Sequence, residues 1–94
     1  MIMTAYVTAE FTPKNKEMLQ AYSAKAASTI TEFQGEFLIK APILALGSVA
    51  NYEYKAIIAF PTVELANSWF NSEQYQSLIS IREQAMEARF ILVA

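Results

Sequence analysis

Residues 2–11 alternate in polarity. Ile2, Thr4, Tyr6, Thr8 and Glu10 fall on one side and Met3, Ala5, Val7, Ala9 and Phe11 on the other, the period-two pattern of a strand. Thr12-Pro13 then offers an N-cap hydroxyl and a proline fit for a first helical turn. A helix is expected from about 14 to 33, burying Met18, Leu19, Tyr22, Ala26, Ile30 and Phe33, with Gly35 closing it in the left-handed conformation. Phe37-Leu38-Ile39-Lys40 reads as a second strand, and residues 41–52, with Pro42 and Gly47, as an irregular connection. Tyr54 to Phe60 is a third strand, stopped by Pro61-Thr62. Val63, Ala66, Trp69 and Phe70 mark one helix. Asn71-Ser72 ends it and caps another, whose stripe runs through Tyr75, Leu78, Ile79, Arg82 and Met86. Phe90-Ile91-Leu92-Val93 predicts a last strand.

The order βαββαβ repeats weakly, since Phe11-Thr12-Pro13 matches Phe60-Pro61-Thr62 and Phe37-Leu38-Ile39 matches Phe90-Ile91-Leu92. Two such halves predict an α+β, ferredoxin-like domain over residues 1–94, a four-stranded antiparallel sheet with both helices on one face. Aligning the two phenylalanines puts Val7, Ala9, Ala56 and Ile58 on the helix side. The other face then carries Ile2, Thr4, Tyr6, Thr8, Glu10, Lys55, Ile57 and Ala59, a set too apolar to stand in water uncovered. A second copy is expected to cover it, closing a barrel-like dimer with a semi-polar cavity between each sheet and its neighbours.

Composition supports association and narrows the chemistry. At 54% hydrophobic and 17% charged residues in 94, the chain holds more apolar material than one small core hides. Net charge is −2, with no basic run, so neither nucleic acid nor membrane is an expected partner. Cysteine, histidine and aspartate are all absent, which excludes thiol nucleophiles, thiolate metal sites and an imidazole base. No metal or cofactor is expected. The amino terminus lacks the features of a signal peptide and no stretch is long enough for a membrane span, so a cytoplasmic location is expected.

Phe60-Pro61, Ala66, and the run Trp69-Phe70-Asn71-Ser72-Glu73-Gln74-Tyr75-Gln76 with Leu78 and Arg82 resemble domain-of-unknown-function family 1330. Tyr6, Ala9, Glu10, Tyr22 and Gly35 also follow that pattern, whereas Glu36, Glu73 and Leu46 depart from it. The resemblance implies the dimeric α/β-barrel superfamily, which includes cofactor-independent monooxygenases, isomerases and decarboxylating or dechlorinating enzymes. It implies no agreed activity.

Arg82 sits on a buried stripe, where a guanidinium needs partners. It would either bind the carboxylate or enolate oxygen of a small ligand or form an internal ion pair with Glu10 or Glu53. Glu10, at the strand end, is a candidate proton acceptor, or else an edge charge pairing with lysine. Tyr6, on the same face, would orient a ligand or pack at the interface. Trp69 and Tyr75 are candidate cavity walls, with core packing as the alternative. Glu83 and Glu87, a helical turn apart, could in principle share a cation, but a solvated helix face is the better reading. Lys55, if beside Tyr6 and desolvated, would be a Schiff-base amine.

Two functions follow. One is a small-molecule-binding dimer, extending to cofactor-independent monooxygenase- or isomerase-like chemistry on a carboxylated or phenolic compound, with Glu10 and Arg82 as catalytic groups and Tyr6, Trp69, Tyr75 and Arg82 as ligand contacts. The other is a non-catalytic dimerisation or ligand-sensing module.

Overall fold

The computed structural model describes residues 4–94. Strand β1 (Ala5–Pro13) leads into helix α1 (Lys16–Glu32), then strands β2 (Glu36–Pro42) and β3 (Tyr54–Phe60). Three helical pieces follow, α2 (Val63–Asn71), α3 (Glu73–Gln76) and α4 (Ile79–Ala85), before strand β4 (Met86–Val93). All strand pairs are antiparallel, in the order β2-β3-β1-β4. This is the ferredoxin-like arrangement that the two matching halves predict. The sheet within one chain is open; its ends do not meet.

The alternation in β1 sorts the side chains as expected. Ala5, Val7, Ala9 and Phe11 are buried with Ala56, Ile58 and Phe60 of β3 against Tyr22, Ala26 and Ile30 of α1 and Ala66 and Trp69 of α2. Burying one face of each element in a shared layer is the main favourable term for a chain of this size. The molecule is consequently a two-layer slab of 33 × 31 × 16 Å, with the second sheet face uncovered.

Several local expectations are corrected. The strand expected over 2–11 continues through Thr12 and Pro13, which pair with Glu87 and Met86 of β4; its first residues, Ile2 and Met3, lie outside the described residues. Asn15, not Thr12, caps α1, its side chain accepting a hydrogen bond from the Met18 N–H at 3.0 Å. Asn is at least as good a cap as Thr, and its position two residues after Pro13 lets the proline end a strand. Left-handed backbone falls at Gln34 (φ 65°) rather than at Gly35. The last helix stops at Ala85, so Met86 begins β4 instead of ending a helical stripe, and the final strand is longer than the apolar run 90–93. Glu83 and Glu87 therefore belong to different elements, and no cluster of three or more metal-ligating side chains occurs among the described residues. The Thr62 and Ser72 caps stand where the sequence puts them.

Candidate functional site

Between α1 and the helix side of the sheet lies a cavity of about 130 Å³. Its floor is Ala9, Phe11, Ala56 and Ile58, its roof Leu19, Tyr22, Ser23, Ala26 and Ile30, and its walls include Trp69, Met86 and Phe90. The void exists because the strands supply small residues, Ala9 and Ala56, where they face α1. Phe37 and Lys40 of β2 complete the lining, and no carboxylate takes part. Lys40 Nζ stands 3.4 Å from Ser23 Oγ and 5.8 Å from the centroid of the Phe11 ring.

A polar chain crosses the apolar layer beside this cavity. The hydroxyls of Tyr22 and Tyr75 are 2.7 Å apart, and Arg82 Nη1 donates to Tyr75 Oη at 3.0 Å. Arg82 also lies over the Phe90 ring, its guanidinium carbon 4.7 Å from the centroid, a cation–π contact that further offsets its partial burial. Burial above all, together with Tyr75 nearby, pushes the Tyr22 phenol far above the ordinary tyrosine range, while Arg82 acts in the opposite sense. Tyr22 is therefore neutral at any physiological pH. Trp69 is anchored separately: its indole N–H donates to Thr29 Oγ1 at 3.0 Å, and that hydroxyl donates to the Ala26 carbonyl. Trp69 also packs on Tyr75, ring centroids 4.4 Å apart, and on Phe60 and Phe70.

The residues singled out from the sequence divide between two surfaces. Trp69, Tyr75 and Arg82 gather on the helix side, whereas Tyr6 and Glu10 stand on the opposite, open face of β1. Glu10 forms an ion pair with Arg89 of β4 (Nη2 to Oε1, 2.7 Å), which is the ion pair present among the described residues. Arg82 consequently satisfies itself with a tyrosine hydroxyl and an aromatic face, not with Glu10 or Glu53. Lys55 pairs across strands with Glu10 and Ala41, while Tyr6 pairs with Ala59 and Val93, so the expected Lys55–Tyr6 neighbourhood does not form. From the sequence Tyr22 is a buried stripe residue that also follows the family pattern, with no role in a site, and Ser23, Thr29 and Lys40 are not singled out for one. The available signal was a phenol and a hydroxyl, Tyr22 and Thr29, two turns apart on an otherwise apolar helix face.

Residues 4–94 match the family described as a domain of unknown function, DUF1330. The chain belongs to that family. Among solved structures, a protein of unknown function from Rhodopseudomonas palustris superposes with a TM-score of 0.78 at 14% identity, covering 95% of this chain and 79% of that one. A dimeric ferredoxin-like protein of unknown function from a Jannaschia species gives 0.74 at 12% identity, over 96% and 97% of the two chains. SnoaB, a cofactor-independent oxygenase from Streptomyces nogalater, gives 0.72 at 10% identity, over 99% and 93%. At these identities the likeness is one of fold. A comparison with curated proteins finds no match to the chain. No helix among the described residues is long and apolar enough to cross a membrane.

Proposed function

We propose that this DUF1330 protein is a small-molecule-binding homodimer in which two copies pair through their open sheet faces and each holds one compact, mainly apolar organic compound beneath α1. The observation that carries the reading is the cavity itself. Its volume of about 130 Å³ is close to the roughly 150 Å³ of a protein cavity known to admit benzene, so a single ring fits and a drug-sized ligand does not. Trp69 forms a wall, while Tyr75 and Arg82 act from behind Tyr22.

The open face supports the pairing. Tyr6, Ile39, Ile57, Ile91 and Val93 lie on it, Ile91 at 41% and Val93 at 51% exposure, beside a β2–β3 connection that holds Leu44, Leu46 and Val49 out in solvent. So much exposed aliphatic surface on a chain of this size is characteristic of an interface. Two structural neighbours that are dimeric ferredoxin-like proteins, from a Jannaschia species and from Thermobifida fusca, support it. On this reading Tyr6 and the Glu10–Arg89 pair belong to the dimer face. The fold-level likeness to a cofactor-independent oxygenase supports extending the reading to chemistry on the bound compound without a cofactor.

Sedimentation velocity combined with an NMR titration tests both halves. The expected result is a particle of twice the 10.5 kDa chain mass, and saturable shifts confined to cavity-lining residues on adding benzene. A monomer at every concentration would sink the pairing, and unsaturable or scattered shifts would sink the ligand site.

A further inference from the structure

The hydroxyl chain beneath α1 has one consistent direction, and that direction specifies what the cavity can recognise. Arginine donates and never accepts, so the Arg82–Tyr75 bond uses a lone pair of the Tyr75 oxygen. Between the two phenols either oxygen could supply the proton on distance alone. Were Tyr22 the donor, the proton of Tyr75 would be stranded: Tyr75 is 0% exposed, and among the described residues its hydroxyl meets only Tyr22 and Arg82. Buried donors are not left unpaired when another arrangement is open to them. Tyr75 therefore donates to Tyr22. The Tyr22 proton is then left without a protein acceptor, on a residue that lines the cavity.

The electrostatics point the same way. Arg82 has no carboxylate partner among the described residues, so its charge is free to polarise the chain, each hydrogen bond strengthening the next. Lys40 places a positive charge in the lining itself, which has no acidic residue. We propose that Tyr22 is the hydrogen-bond donor of the cavity, with Tyr75 and Arg82 as positioning residues behind it, and that the ligand is a one-ring compound bearing an acceptor oxygen, a ketone, enolate or phenolate. This deepens the small-molecule reading and rests on it.

The test compares three six-membered-ring probes on the full chain by NMR titration: cyclohexanone, methylenecyclohexane, which has the same shape without the oxygen, and cyclohexylammonium. Cyclohexanone is expected to bind roughly five- to tenfold tighter than the hydrocarbon, and the ammonium probe not at all. In Tyr22→Phe that advantage disappears while the hydrocarbon binds as before. The infrared carbonyl band of bound cyclohexanone should move to lower frequency in the wild type and not in Tyr22→Phe. In Arg82→Gln the displacement should be smaller, and Arg82→Lys should restore most of it, which a merely structural role for Arg82 would not produce. Arg82 is only partly buried, so its variants keep the proposal testable if Tyr22→Phe fails to fold. Equal affinity for ketone and hydrocarbon, preference for the ammonium probe, or an unshifted carbonyl band would overturn the inference while leaving the ligand site standing. Failure of every neutral probe to bind would overturn both.

Discussion

At position 35 a side chain would have nowhere to go. A Cβ there would sit 2.6 Å from Cε1 of Phe60 and 2.8 Å from Cγ2 of Ile30, and Phe60 is itself wedged against Trp69. Its requirement is space, whereas the left-handed backbone is at Gln34. Gly35→Ala is accordingly expected to lower unfolding free energy by about 1–3 kcal/mol in urea titrations. Gln34→Gly should be neutral or stabilising, because it relieves a positive φ. Tyr22 gives a second expectation at this scale. Its phenol pKa is raised in the folded state, first by burial and then by Tyr75. The unfolded chain releases that proton at the ordinary value of about 10 while the folded protein still holds it. The contribution is therefore intact below about pH 10 and is lost as pH rises above it. Urea stability measured between about pH 9 and pH 11 should fall less steeply in Tyr22→Phe than in the wild type.

At the scale of elements, what decides each boundary is which partner its backbone finds. Thr12 and Pro13 have the composition of a helix start, yet β4 is long enough to pair with both, so the ladder holds them in the sheet. The helix then takes the next residue able to cap it, Asn15. Asn15→Ala is expected to cost about 1 kcal/mol of stability. Thr12→Ala should cost less than about 0.5 kcal/mol, since its hydroxyl accepts only an exposed N–H, that of Glu53. Paired thermal melts of the two variants would reveal a reversed order if the capping assignment were mistaken. The same competition sets the end of α4: a helical stripe through Met86 is compatible with the sequence, but Met86 opposite Pro13 extends the sheet.

For the whole molecule, two layers bury one sheet face and leave the other uncovered, the face assigned above to the proposed pairing. The apolar residues of the open face extend across all four strands, from Ile39 of β2 to Ile91 of β4, while Glu10, Arg89 and Lys55 gather charge at one end. Placing a carboxylate in the aliphatic part should oppose pairing without touching the helix-side core. Ile91→Glu is expected to weaken the dimer at least tenfold by sedimentation equilibrium, since burying an unpaired charge outweighs the lost aliphatic contact. An unchanged dimer would exclude this face as the interface.

Read alone, the sequence determined the element order, the ferredoxin-like topology, the two faces of the sheet and the family. Those features follow from the periods of two and 3.6, from caps such as Thr62 and Ser72, and from the Trp69–Tyr75 run, all of which are local in the chain. It also placed Arg82, Tyr75 and Trp69 on buried stripes. Tertiary structure alone decided the rest. Strand register assigned Glu10 to Arg89 and separated it from Arg82 by the thickness of the sheet. Packing brought Tyr22 to Tyr75 across 53 positions and left the cavity where Ala9 and Ala56 face α1. Periodicity reports which side of an element is covered. Which distant side chain covers it, and how much space is left between them, depends on how the layers pack together.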